Sequence, residues 1–309
     1  MLEKILVPLD GSVTAEAILP HVRRLLRRQD SEVILLRVAN PPAAEEQMLA
    51  IEASLAAARE YIVGIKDRLE QQGVRARAEA RMGPPAGTIL DLAEEEGVSL
   101  IALATHGRTG FKRALFGSVA EHVVRKSPVP VFTVRPFWTY ELLPPGRTEN
   151  QPFTSILVPT DRSERSIQVL GPAIELAKLF EARIVFLHVL DPDARRKAQG
   201  KVTDEALARD RLKEFAGKAE ARGVKTLAVV DQGDVAKSIL DNARFHGCDL
   251  IAITTHGRSG LSRLVTGSVT EEVLRKATLP LLVVRADQKM AGKKKAKRTV
   301  QKAVGKGKR

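Results

Sequence analysis

ILVPLDGS, residues 5–12, returns as ILVPTDRS at residues 156–163. Three further runs recur in the same order. Val33-Ile-Leu-Leu-Arg-Val38 returns as Ile184-Val-Phe-Leu-His-Val189, Leu100-Ile-Ala-Leu-Ala-Thr105 as Leu250-Ile-Ala-Ile-Thr-Thr255, and Val129-Pro-Val-Phe-Thr-Val134 as Leu279-Pro-Leu-Leu-Val-Val284. All are short, β-branched and nearly continuously apolar, which is what a strand covered by helices on both faces requires. A half-polar run, Val74 to Met82 and again Val224 to Asp231, reads as an edge strand.

Helical patterns separate the strands. Thr14 to Arg28 carries an apolar stripe at Ala17, Ile18, Val22, Leu25 and Leu26. Met48 to Gln71 and Asp204 to Arg222 are longer and stop at Gly73 and Gly223, residues suited to a helix C-terminus. Thr88 to Glu96 closes at Gly97, and Ser238 to His246 at Gly247. A βαβαβαβαβ order in each half predicts an α/β fold: two tandem doubly wound domains, each with a five-stranded parallel, Rossmann-like sheet. Domain boundaries fall at 1–135 and 153–285. Residues 136–152, rich in proline and carrying Phe137, Trp138 and Tyr140, read as a linker.

Several classes are excluded by composition. No apolar run approaches the roughly 20 residues that span a bilayer, and the N-terminus has no signal-peptide pattern. A single cysteine, Cys248, forbids an intrachain disulfide and a cysteine metal cage. A cytoplasmic location is the expectation. Of the net charge of +13, the segment 286–309 holds +9, leaving +4 for the body. That tail lacks apolar periodicity and reads as disordered. Three readings fit it: a solvated terminus, non-specific contact with nucleic acid, or contact with an anionic surface.

The segments THGRTGFKRALFGSV, residues 105–119, and THGRSGLSRLVTGSV, residues 255–269, carry the chemistry. A strand delivers each to the sheet's C-terminal end, where ligands sit in open α/β sheets. Gly107 and Gly117 permit close backbone approach, and Ser118 opens a helix whose first N–H groups are unpaired at the positive end of its dipole. Such a terminus accommodates phosphate. Arg108, Lys112 and Arg113 add cations in the first copy, Arg258 and Arg263 in the second. A second reading fits equally: Ser118 with Glu121, and Ser268 with Glu271, match a capping box that satisfies the helix by itself. His106 and His256 stand beside no nucleophile placed by motif, and read as hydrogen-bonded loop residues. No H-E-x-x-H, G-x-S-x-G, P-loop or strand-associated G-x-G-x-x-G occurs.

The pattern resembles the universal stress protein family, with its adenine nucleotide alpha hydrolase-like fold. Nucleotide-binding members of that family carry G-x2-G-x9-G-[S/T]. Gly107-x9-Gly117-Ser118 and Gly257-x9-Gly267-Ser268 match its second part, and the strand ends at Pro8-Leu9-Asp10, Pro159-Thr160-Asp161, Val38 and Val189 match as well. The resemblance covers about residues 2 to 285. It implies an ATP-binding stress-response protein of sensor or regulatory type. Asp10 and Asp161 would meet the ribose or a Mg²⁺ ion, and the backbone at Val38 and Val189 would meet adenine. The segments Gly107, Arg108, Gly117, Ser118, Val119 and Gly257, Arg258, Gly267, Ser268, Val269 would hold phosphates. A helix cap is the competing reading of each aspartate, and plain core that of each valine. Where the family has its first motif glycine, this chain has Ala104 and Thr254. The added Cβ narrows the approach, more so at β-branched Thr254, which favours the N-terminal half.

The family pairs its domains through the last strand. A tandem chain satisfies that pairing internally or with a second copy, and a nucleotide-free interaction module of the same fold is the alternative function. No residue constellation activates a second substrate, so no catalytic residue is assigned. Slow ATPase activity or autophosphorylation is the most the resemblance implies.

Overall fold

The computed structural model describes residues 2–26, 31–39, 48–105, 117–136, 151–190, 204–255 and 268–286. The first half runs β1 (Lys4–Pro8), α1 (Val13–Glu16), α2 (Leu19–Leu25), β2 (Glu32–Ala39), α3 (Met48–Glu70), β3 (Ala76–Met82), α4 (Pro85–Glu95), β4 (Leu100–Ala104), α5 (Ser118–Lys126) and β5 (Val131–Val134). The second runs β6 (Ser155–Pro159), a 3₁₀ turn (Ser166–Val169), α6 (Leu170–Phe180), β7 (Arg183–Leu190) and α7 (Asp204–Glu220). It continues with β8 (Thr226–Gln232), α8 (Val235–Phe245), β9 (Leu250–Thr254), α9 (Ser268–Lys276) and β10 (Leu281–Val284).

Each half forms the expected five-stranded parallel sheet, and the two join edge to edge. One ten-stranded sheet runs β3-β2-β1-β4-β5-β10-β9-β6-β7-β8. Every neighbouring pair is parallel except β5 with β10, which are antiparallel with Leu281 opposite Thr133, Leu282 opposite Phe132 and Val283 opposite Val131. The last strands therefore pair within the chain. Half-polar β3 and β8 lie at the outer edges, where their polar side chains meet water.

Successive strand residues face opposite sides, so each strand feeds two cores. Ile5 and Val7 belong to one and Leu6 to the other. Both cores cross the junction: Phe132 and Val134 share the first with Leu282 and Val284, and Val131 shares the second with Leu281 and Val283. The stripe from Thr14 to Arg28, expected as one helix, is broken into α1 and α2. Pro20, in the first turn of α2, has no N–H with which to continue the α1 ladder. Helix α4 begins at Pro85, earlier than Thr88, because a proline fits the first helical turn.

A buried polar contact joins the halves. Arg24 on α2 approaches Asp249, just before β9, with Nη2 3.6 Å from Oδ2 and side chains 2% and 0% exposed. The guanidinium lies 3.5 Å from the ring centroid of Phe153. Asp249 also accepts hydrogen bonds from Thr154 N at 2.9 Å and Thr154 Oγ1 at 3.2 Å. Beside this pair, His21, Phe132, Phe153 and Phe180 form a run of ring contacts with centroids 5.1–6.2 Å apart. Two further arginines reach across the junction: Arg135 Nη1 donates to the Arg275 carbonyl at 2.6 Å and Arg285 Nη1 to the Lys126 carbonyl at 3.2 Å. Each cation thus meets the negative end of the other half's last helix.

Breaking the buried pair from one side leaves a charge without its counterpart. Arg24→Leu is expected to destabilise the chain by about 3 kcal/mol in urea denaturation, and Arg24→Leu with Asp249→Asn to recover part of that loss.

Burial, and then the nearby Arg24 charge, push the His21 imidazole down to about 4, so it is neutral in the fold. The unfolded chain, with an ordinary value near ~6.5, binds the proton first as pH falls. Stability from this group is therefore complete above about pH 6.5 and is lost towards about pH 4, a loss of about 3 kcal/mol. In His21→Leu that part of the pH slope should vanish when denaturation is compared at about pH 7 and about pH 4.5.

Candidate functional site

In the strand order, β1 and β4 lie side by side while their connections run to opposite faces, a topological switch point. The carboxyl ends of these strands open on a cavity of about 770 Å³. Eight of the ten residues singled out in the first half line it: Pro8, Leu9 and Asp10 after β1, Val38 on β2, Ala104 on β4, and Gly117, Ser118 and Val119 at the start of α5. Gly107 and Arg108 lie outside the described residues. So do His106, Lys112, Arg113, His256, Gly257, Arg258, Arg263 and Gly267, with the linker aromatics and the basic tail.

Helix α5 begins differently from the capping-box expectation. Its N-cap is Gly117, extended at φ −70° and ψ 141°, and makes no side-chain cap hydrogen bond. Gly117 N donates to the Thr105 carbonyl at 2.7 Å, which ties the helix start to the end of β4. Ser118 is therefore the first helical residue, one place too late to cap. Glu121 pairs instead with Arg125 at 2.8 Å, one turn along the helix. The first turn thus fronts the cavity, and among the described residues neither the N-cap Gly117 nor Glu121 caps it through a side chain.

Asp10 has a local structural task. Its Oδ1 accepts from Ser12 N at 3.0 Å and Ser12 Oγ at 2.5 Å, and Ser12 Oγ in turn accepts from Ala15 N at 3.1 Å as the N-cap of α1. Asp10 holds the cap but is not itself the cap. Val38 is buried, as its core reading required, and its carbonyl accepts from Arg37 Nη1 at 2.8 Å.

Arg37 and Tyr61 line the same cavity and were not singled out in the sequence. Arg37 is the one charged residue within the Val33–Val38 run, a signal that was there to be read. Tyr61 gave none beyond its place on α3. Its hydroxyl donates to Glu16 Oε1 at 3.0 Å, and burial together with the Glu16 carboxylate raises its pKa, so it remains a phenol. Ala57, Ala58, Ile89 and Leu103 add apolar wall, and Ser54 and Thr105 add hydroxyls. A cation and a carboxylate near one end, apolar walls and a helix N-terminus suit a flat aromatic group that carries an anion.

The second half places its candidates differently. Pro159 and Thr160 are buried, and Thr160 Oγ1 contacts Ser166 Oγ at 2.8 Å and accepts from Arg162 N at 3.0 Å. Asp161 repeats the turn, its Oδ1 accepting from Ser163 N at 2.9 Å. Val189 and Val269 are half-buried and Ser268 is exposed. Thr254 is buried at the end of β9, and its carbonyl accepts from Thr270 Oγ1 at 2.8 Å.

Comparisons with known proteins agree with this architecture. The model of the universal stress protein family matches residues 1–135 and again 152–285. Universal stress protein MJ0577 of Methanocaldococcus jannaschii is 32% identical over 155 residues, covering 44% of this chain and 96% of that protein. A universal stress protein of Mycolicibacterium smegmatis is 25% identical over 298 residues, covering 91% of this chain and 96% of its own length. A crystal structure of a universal stress protein from Archaeoglobus fulgidus superposes with a TM-score of 0.72 at 22% identity, covering 93% of this chain and 99% of that one.

The two serines at helix starts should respond differently to truncation. Ser12→Ala removes a side-chain cap and is expected to cost about 1 kcal/mol, whereas Ser118→Ala should change unfolding free energy by less than about 0.5 kcal/mol. Paired urea titrations check this contrast.

Proposed function

Because the chain belongs to the universal stress protein family, we propose that its N-terminal half binds an adenine nucleotide, ATP, and that this binding serves a sensing or regulatory role in the stress response. The support lies in one conjunction. The cavity at the switch point is lined by residues from β1, β2, β4 and α5, and Gly117, the N-cap of the α5 terminus that faces it, makes no side-chain cap hydrogen bond.

In this reading the α5 amides meet the phosphates, because unpaired N–H groups at the positive end of a helix dipole favour an anion. The purine lies against the apolar wall near Val38. Binding there exchanges the internal Arg37–Val38 hydrogen bond for contacts with the base. Asp10, already fixed by Ser12, turns towards the ribose or a phosphate-bound Mg²⁺. The family's first motif glycine is Ala104 here, half-buried on the cavity wall, where a single methyl group leaves room for ligand. The nucleotide-free interaction module draws less support. The last-strand edges through which it would recruit a second copy are already paired inside the chain.

Ligand at about 100 times its Kd should stabilise the chain by about 2.7 kcal/mol against denaturant. Gly117→Asp supplies the missing cap and puts a negative charge where phosphate would sit. It is expected to raise ligand-free stability by a few tenths of a kcal/mol, about the Gly-to-Asp difference at an N-cap, while abolishing the response to ATP. Millimolar ATP and Mg²⁺ that leave the wild-type denaturation curve unmoved would sink the reading.

A further inference from the structure

In the second half an ion pair joins the turn after β6 to the start of α7. In the repeat, Arg162 stands where the first half has Gly11. Gly11 takes φ +80° and Arg162 keeps the same left-handed backbone at φ 70°. Glycine adopts that conformation without strain and arginine does not. The opposite wall corresponds as well. Buried Ala58, Ile62, Ile65 and Leu69 of α3 recur as Ala208, Leu212, Phe215 and Ala219 of α7, which sets Asp204 at the place of Ser54. Gly11 and Ser54 both line the N-terminal cavity. Their counterparts are joined: Arg162 Nη1 lies 2.7 Å from Asp204 Oδ1 and 3.4 Å from the Asp204 carbonyl, with the arginine side chain only 13% exposed.

We propose that the Arg162–Asp204 ion pair is a latch that shuts the second cleft, so that the chain binds one nucleotide, in its first half, and not two. This rests on the reading of the first half given above. The latch works in two ways. It fills the mouth with a guanidinium and a carboxylate where the first half presents a glycine and a small hydroxyl. It also neutralises its own cation, so Arg162 offers no net charge to a phosphate, and the Asp204 carboxylate repels one.

The groups behind the latch are turned inward. His188, at the place of Arg37, has its Nδ1 2.7 Å from the Thr160 carbonyl. Thr254 and Thr270, at the places of Ala104 and Ala120, are both buried, with Thr270 bonded to the Thr254 carbonyl. At each of these positions the first half keeps a smaller side chain or one that reaches its cavity.

Equilibrium dialysis of the full chain with ATP and Mg²⁺ tests this. Wild type should bind one equivalent, and Gly117→Asp should remove it. Arg162→Gly, which also relieves the backbone at that position, should bind two. Arg162→Gly combined with Gly117→Asp should bind one. Should Arg162→Gly fail to fold, Asp204→Ser opens the same latch from the opposite wall and should likewise raise the count to two. A wild-type count of two overturns the latch alone, as does a folded Arg162→Gly or Asp204→Ser that stays at one. A wild-type count of zero overturns the reading of the first half and the latch with it.

Discussion

Three antiparallel residue pairs hold the molecule as one body. A five-stranded half-sheet of this kind ends in a four-residue strand, and β5 is buried along its whole length. Left as an edge, such a strand would expose a row of unpaired backbone groups beside hydrophobic side chains. β10 covers it, and β5 covers β10. The connection between the halves then matters less for affinity than for concentration: two edges in one chain meet at an effective concentration a separate partner would not match.

The same pairing fixes what surrounds it. Because β5 and β10 run antiparallel, the last helix of each half ends beside the last strand of the other, and Arg135 and Arg285 close on those helix ends. Arg24 and Asp249 come together from opposite halves beneath Phe153. A buried ion pair is weak support for stability in itself, but it penalises any sliding of one half against the other, since sliding would strand both charges. The switch-point cleft of the first half lies on the far side of β4 from this junction, so its walls belong to a single half.

Strands were the most legible feature in the sequence, because a strand buried on both faces leaves a continuous apolar run. The two edges were legible from their half-polar character. The helix break at Pro20 was not, since the apolar stripe runs through it while the backbone does not. The start of α5 was misplaced by one residue. Ser118 and Glu121 have the spacing of a capping box, yet the Gly117-to-Thr105 hydrogen bond sets the helix phase from outside the helix. Eight cavity residues were reachable from motif and resemblance. Arg37 stood out as the lone charge in an apolar strand, whereas Tyr61 faces the cavity through the packing of α3, which no local pattern encodes. Arg24 and Asp249 were invisible for the same reason: each is an ordinary charge in its own segment and becomes a buried partner only when the halves meet.

The chain carries two copies of one backbone, with different side chains at equivalent positions. What the second half contributes to the fold, namely β10, Asp249 and Phe153, lies at the junction and makes no use of an open cleft. A vacant apolar cleft is costly, because its lining loses contacts that packing would supply. In the second half Thr270 is bonded to the Thr254 carbonyl, His188 to the Thr160 carbonyl, and Arg162 is paired with Asp204. The first half keeps small residues at Gly11, Ala104 and Ala120 beside its cavity, and a glycine at the N-cap of α5. Open space beside a helix start whose N-cap has no side chain is a stability disadvantage unless something occupies it. That asymmetry between equivalent positions is what supports the proposal of a ligand in the first half rather than the second.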